Sequence, residues 1–171
     1  MIQIRELKNE DFEQFQPLRK LGLATDPTSF SASQEEEETG LKEKFEAVNA
    51  NAFNFSLGAF VSGALVGKVA FIRNSRKKLA HKGEIGGMFL HPDHRGQGIS
   101  SLLLSQTLDK AFSQPGLSKV ILTVTDGNVA AKALYEKYGF VTFGMEEDGI
   151  IVNGKAYHQH WMQITKADWQ G

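Results

Sequence analysis

The chain has 171 residues, which is long enough for one domain that buries a core without disulfides or metals. Its 19 Lys and Arg residues nearly balance its 20 Asp and Glu residues, which excludes the strongly basic surface typical of a nucleic-acid-binding protein. The sequence has no cysteine, so a disulfide, a thiolate zinc site and a cysteine nucleophile that carries a covalent acyl group are also excluded.

The N-terminus and the hydropathy pattern bear on location. Residues 1–6 alternate between apolar and polar, unlike a signal peptide, and no apolar run reaches membrane-spanning length. The sequence therefore predicts a cytoplasmic protein with neither a membrane nor a nucleic acid as partner.

The first half of the chain predicts a strand, two helices and a hairpin. Apolar residues recur at three-residue steps after Asp11, which predicts a helix up to Gly22. The acidic run 35–38 suits the positive end of a second helix, with its side chains in solvent. The predicted strands are residues 2–7, 54–61 and 65–73, and a polar loop covers 74–82.

The second half predicts a β-turn-α-β unit, a short helix and a second hairpin. A leucine-rich helix follows the strand 85–90 and a glycine turn, and the buried strand 120–124 is of the kind that parallel sheets use. A helix over 129–138 precedes two strands, 141–145 and 156–164, which flank Asn153-Gly154. Together these elements predict a single α/β domain over 1–171, with a mixed sheet of six or seven strands and about four helices.

The glycine turn is the most informative segment of the sequence. A strand that runs into a turn and then a helix aims free backbone N–H groups and the positive helix end at one point, which suits a pyrophosphate. Gly96 and Gly98 let the backbone approach such an anion, and Arg95 adds a charge-assisted hydrogen bond. A Gly-x-Gly alone is more often only a tight turn, so the surrounding residues decide the interpretation.

Two segments resemble motifs of the GNAT family of N-acetyltransferases. Residues 88–100 follow the order apolar strand, x-Pro-Asp-x-Arg-Gly-x-Gly-x-small, which resembles the acetyl-CoA signature of that family. Residues 128–140 resemble its Asn-x-x-Ala-x-x-Leu-Tyr-x-x-x-Gly-Phe segment. Ser100 departs from the usual Gly or Ala, but serine is small and its hydroxyl suits a phosphate oxygen.

The resemblance implies acetyl-CoA as cosubstrate, without a metal. In the family, the strand before the glycine turn splays from its neighbour, its backbone binds the pantetheine and the thioester carbonyl, and Gly86-Gly87 would suit a bulge there. The cofactor-binding residues that the resemblance implies, together with the turn itself, are Phe89, Leu90, Arg95, Gly96, Gln97, Gly98, Ile99, Ser100, Ser101, Asn128, Ala131 and Lys132.

The resemblance also implies the catalytic groups. Tyr135 would protonate the departing thiolate, although core packing is an alternative role for its ring. Asn128 lies two helical turns away on the same face, and an ordinary N-cap is its alternative role. Some members place a catalytic glutamate near Glu84, which is otherwise a solvated strand-end carboxylate. Others use the next strand, where this chain has Thr123.

The expected reaction is direct transfer of an acetyl group to a primary amine. Peptide N-termini, amino acids, polyamines and other small amines all fit, because the motifs contact the cofactor and not the acceptor. By their positions relative to the family, the resemblance suggests that Arg19, Phe30 and Tyr157 contact the acceptor. Dimers are common in the family, so a homodimer is a further expectation.

Two other functions compete with this one. The first is a noncatalytic coenzyme A sensor, which would keep the pocket without turnover. The absence of a glutamate at Thr123 is consistent with this alternative, whereas Tyr135 argues against it. A dinucleotide-binding oxidoreductase is opposed because the third glycine of its fingerprint would fall at Ser101 and no acidic residue ends the following strand. His158 and His160 alternate along a strand without a third metal ligand, so exposure is favoured over a metal pair.

Overall fold

The computed structural model describes all 171 residues and has one mixed sheet of seven strands with five α-helices, in agreement with the predicted fold class. The strands are β1 (Ile2–Glu6), β2 (Phe55–Val61), β3 (Ala64–Arg73), β4 (Lys82–Leu90), β5 (Lys119–Thr125), β6 (Val141–Val152) and β7 (Lys155–Thr165). The helices are α1 (Phe12–Thr25), α2 (Gln34–Glu37), α3 (Leu41–Ala50), α4 (Ile99–Phe112) and α5 (Val129–Lys137). The order across the sheet is β1-β2-β3-β4-β5-β7-β6.

The additional helix arises where the sequence predicts one helix around the acidic run. Ser33 caps α2, because its hydroxyl accepts from the N–H of Glu36 while the Glu36 carboxylate accepts from the N–H of Ser33. Gly40 then adopts a left-handed conformation with φ +79°, which ends this short element and lets α3 begin at Leu41.

The sheet splits near its centre, between β4 and β5, and this point is called the fork. β4 pairs with β5 in parallel over only three residue pairs, the last of which is Glu84 with Ile121. On its other edge β4 is antiparallel to β3, with a register shift between Lys68 and Ala70. β5 is antiparallel to β7, so the predicted parallel strand is parallel on one side only. A cleft therefore opens between β4 and β5 beyond Glu84.

Two hydrophobic clusters hold the helices against the sheet. The larger one includes Leu103, Leu104 and Leu108 of α4, all with no exposed surface, so that face of α4 is fixed against the strands. The smaller one joins α1 and α3 to the sheet through aromatic side chains, including Phe30 and Phe45. None of the five helices combines the length and the apolar character that crossing a bilayer requires. The packing of α4 against the strands fixes the start of this helix beside the fork.

Candidate active site

Two cavities meet at the fork of the sheet. The larger, of about 650 Å³, runs from the glycine turn along the gap between β4 and β5. The smaller, of about 510 Å³, lies between the sheet and helices α1 and α3. Both are lined by Arg19, Glu84, Gly86 and Gly87, so these residues mark the place where molecules bound in the two cavities would touch.

The glycine turn forms one end of the larger cavity. Gly96 and Gly98 have φ of +75° and +76°, and no atom lies within 4 Å of where a Cβ would project. The first bond of α4 runs from the N–H of Leu102 to the carbonyl of Gly98, and no side chain caps the helix. The N–H groups of residues 99–101 are therefore left for an anion, and the turn fits a pyrophosphate.

Most of the residues predicted to bind the cofactor line this larger cavity. They are Phe89, Leu90, Arg95, Gly96, Gly98, Ile99, Ser100, Ser101, Asn128 and Ala131. Two do not line it. The side-chain amide of Gln97 turns back to the carbonyl of Asp93 at 3.4 Å, and Lys132 lines a separate, smaller cavity beside α5.

Arg95 is held in place at the rim of the cavity by two partners. Its Nε donates to the carbonyl of Leu90 at 3.2 Å, and its Nη2 donates to the carboxylate of Asp26 at 2.8 Å. Asp26 follows α1 directly, so this ion pair ties the end of α1 to the glycine turn. Sequence reasoning did not find Asp26, because 69 residues separate it from its partner.

Asn128 caps α5 and also lines the larger cavity. Its side-chain oxygen accepts from the N–H of Ala131 at 3.2 Å, which makes it the N-cap of α5. Its side-chain nitrogen lies 3.4 Å from the hydroxyl of Ser29. The residue also lines the larger cavity, so capping and contact with a ligand are compatible.

Tyr135 presents its hydroxyl to the fork from the inner face of α5. The side chain is buried, its ring packs on Phe140, and its hydroxyl lies 3.9 Å from the sulfur of Met88. Burial raises the pKa of Tyr135 to about 12, because the phenolate would lose its solvation. The hydroxyl therefore keeps its proton throughout the neutral range and is available as a donor.

Glu84 stands at the point where β4 and β5 separate. Its side chain keeps contact with solvent in the cleft and has no hydrogen-bond or ion-pair partner. Partial burial raises the pKa of its carboxyl above the ordinary value, because the charged form loses solvation. This shift moves Glu84 toward the range in which a carboxylate can act as a base at neutral pH.

Of the residues expected on the acceptor side, Arg19 lines both cavities and Phe30 lines only the larger one. The guanidinium of Arg19 lies 4.6 Å from the centre of the Phe30 ring and forms a bidentate ion pair with Glu37. Glu37 is buried, so the prediction that the whole acidic run is solvated was wrong for this residue. The capping of α2 turns Glu37 inward, toward α1.

The β7 residues singled out from the sequence lie away from the junction. Tyr157 pairs with Ile150 of β6 and lines neither of the two cavities, and the Nζ of Lys155 lies over its ring. His158 accepts a hydrogen bond from the N–H of Asp148, whereas His160 lies 3.2 Å from the carboxylate of Asp126. The two histidines therefore have separate partners.

Lys68 is the residue at the junction that sequence reasoning missed. It is 5% exposed, and its Nζ donates to the carbonyl of Gly87 at 2.7 Å. The ring centres of Phe15 and Phe30 lie 5.3 and 5.7 Å from Nζ. Burial and the charge of Arg19 lower the pKa of Lys68 to about 7. The only signal in the sequence is a lysine inside an otherwise apolar strand.

Comparison with known proteins identifies the family of the chain. Residues 3–140 match the model of the acetyltransferase (GNAT) family. The protein YdaF of Bacillus subtilis, by name a candidate ribosomal N-acetyltransferase, is 25% identical, and the match covers 99% of this chain and 94% of that protein. 

Two solved structures share the fold. A GNAT-family acetyltransferase from Streptococcus pneumoniae is 27% identical with a TM-score of 0.84, and 96% of this chain and 99% of that chain are covered. A phosphinothricin acetyltransferase from Sinorhizobium meliloti, solved in complex with acetyl-CoA, is 18% identical with a TM-score of 0.85 and coverage of 96% and 88%. The chain therefore belongs to the acetyltransferase (GNAT) family and is an acetyltransferase.

Proposed function

We propose that this chain transfers the acetyl group of acetyl-CoA directly to a primary amine. The observation that carries the proposal is the meeting of two cavities at the fork, where Glu84 lines both and Tyr135 lines the larger. One cavity begins at an anion-binding turn, as a donor with a pyrophosphate requires. The other is left for the acceptor. The name of the Bacillus subtilis relative, an N-acetyltransferase, supports an amine.

The turn and α4 bind the donor in this proposal. The free N–H groups of residues 99–101 hold the pyrophosphate, and Ser100 and Arg95 add polar contacts at the same end of the cavity. When bound, acetyl-CoA supplies a thioester whose acetyl group reaches the fork. The backbone of Phe89 and Leu90 lines the path between the turn and the fork, beside a strand edge that β5 does not pair.

Glu84 and Tyr135 then divide the proton transfers. Glu84 removes the proton from the ammonium form of the acceptor, directly or through a water, because only the neutral amine is a nucleophile. Tyr135 donates its proton to the departing sulfur. The chain has no cysteine, so the amine attacks the thioester itself and no acyl-enzyme on sulfur forms.

The pH dependence of the rate tests the role of Glu84. We expect Glu84→Gln to lower kcat/KM by about 10²-fold, a typical loss for a general base. Since the pKa of Glu84 is raised, the wild-type advantage should be full above that pKa and shrink as the pH falls through it. The ratio of the wild-type rate to the Glu84→Gln rate isolates the titration of Glu84, because titration of the acceptor amine affects both proteins equally.

A matched control comes from Glu147, which is exposed and unpaired on β6. Glu147→Gln should keep the wild-type rate and profile in the same assay of thiol release. If Glu84→Gln retained both the wild-type rate and the fall in rate at acidic pH, Glu84 would not be the base.

A further inference from the structure

The smaller cavity has the size and the position of an acceptor site. Its volume of about 510 Å³ lies within the range of small-molecule sites. One end reaches Glu84, Gly86 and Gly87, where the thioester would lie. The remaining wall is largely apolar and comes from helices α1 and α3 and the face of β3, with side chains that include Phe15, Leu41, Phe45, Val48 and Ile72.

The inner end of this cavity carries two cations, a buried lysine and a largely buried arginine, with unpaired donors. Arg19 uses its Nε and Nη2 on Glu37, which leaves Nη1 without a partner. Lys68 uses one of its three donors on the carbonyl of Gly87. A Cβ at position 87 would lie 3.3 Å from the Nζ of Lys68 and 3.6 Å from the Nη1 of Arg19. Both donors therefore converge beside a residue that has no side chain.

The charges at this point do not cancel. With Lys68 protonated, Arg19 and Lys68 face only one buried carboxylate, that of Glu37, so one positive charge lacks a partner. An unpaired buried charge is costly, and an anion bound between the two donors would relieve that cost. The lowered pKa of Lys68 has the same physical cause.

The rest of the lining adds to the excess of positive charge. The cavity is lined by five cationic residues, Arg19, Lys44, Lys68, Arg73 and Lys82. Only two acidic residues, Glu37 and Glu84, face them. A polycationic acceptor such as a polyamine would therefore be repelled, and an acceptor with its own anionic group would be attracted.

We propose that the acceptor is an amino acid with an apolar side chain, whose carboxylate binds between Lys68 and Arg19. The amine beside that carboxylate then lies next to Glu84 and the fork, and the side chain extends along the apolar wall. This inference rests on the proposed transfer to an amine, and it narrows the acceptor from any primary amine to this class.

A comparison of matched acceptors tests it without any variant. Thiol release from acetyl-CoA is measured with leucine, methionine and phenylalanine, each beside its carboxamide, and with spermidine and a tripeptide of apolar residues. We expect kcat/KM for at least one free amino acid to exceed that of its carboxamide by more than tenfold. The amine of a carboxamide is less basic and more often neutral, so intrinsic reactivity works against this result.

The variant Lys68→Met then assigns the preference to the site. Methionine has a similar shape without charge, so we expect the ratio of the amino-acid rate to the carboxamide rate to fall at least fivefold. Unfolding temperature and acetyl-CoA affinity report whether the fold and the donor site are intact. Lys78→Met, at an exposed lysine in the loop before β4, should leave the ratio unchanged.

The outcomes separate this inference from the proposed function. Faster transfer to the carboxamides, the tripeptide or spermidine would overturn the amino-acid acceptor and leave amine acetylation standing. An unchanged ratio in a folded Lys68→Met protein would also overturn it. Thiol release with none of these amines, while acetyl-CoA still binds, would contradict the proposed function itself.

Discussion

Replacing Tyr135 by Phe is expected to lower kcat by about 10²- to 10³-fold and to leave the dissociation constant of acetyl-CoA unchanged. The hydroxyl is the only group removed, and it faces the fork beside Met88 and not the glycine turn. Its proton is retained at neutral pH because burial raises the pKa of Tyr135 to about 12. Single-turnover thiol release and titration with acetyl-CoA measure the two quantities separately.

Tyr138→Phe is the matched control for this variant. Tyr138 follows α5 and packs on Trp169, away from both cavities, so loss of its hydroxyl should leave kcat within about twofold. If Tyr135→Phe kept the wild-type kcat, the proton for the thiolate would have to come from water. If it changed only the unfolding temperature, the hydroxyl would contribute to stability and not to the reaction.

Replacing Gly98 by Ala is expected to raise the dissociation constant of acetyl-CoA by more than tenfold. The new methyl group would project into the empty space of the glycine turn, where a phosphate would approach the backbone. The left-handed backbone at this position, with φ +76°, adds about 1 kcal/mol or more of strain. Calorimetric titration with acetyl-CoA measures the affinity.

Gly154 provides a control with the same backbone strain. It has the same φ of +76° and the same empty surroundings, but it lies in the turn between β6 and β7. Gly154→Ala should therefore lose a similar amount of stability and keep its affinity for acetyl-CoA. Equal affinities in the two variants would mean that the turn at Gly98 does not contact the donor.

The parts of the site that a short stretch of chain builds could be predicted from the sequence. The glycine turn, the N-cap at Asn128 and the position of Tyr135 on α5 each depend on residues within a few positions of one another. Local geometry therefore determines them, and the pattern of residues carries that geometry. The strands were predicted for the same reason, although β4 begins at Lys82, earlier than predicted, and β6 extends to Val152 through polar residues that interrupt its alternation.

The charged contacts at the inner end of the smaller cavity could not be predicted, because distant segments build them. Arg19 meets Glu37 across the turn-rich segment between α1 and α2, and Lys68 reaches Gly87 across the β3–β4 pair. Arg19 and Glu37 alone resemble ordinary surface charges, and Lys68 differs only in lying within an apolar strand. Only the packing of α1 and α2 against the sheet shows that three charged side chains share one buried site.

The most direct test of the account follows an isotopically labelled acetyl group. The purified protein is incubated with labelled acetyl-CoA and a mixture of the free amino acids, their carboxamides, spermidine and the tripeptide. Mass spectrometry then locates the label. We predict an acetylated amine, formed in step with free thiol, with no label retained on the protein. Label on the protein, or release of free acetate without an acetylated amine, would contradict direct transfer to an amine.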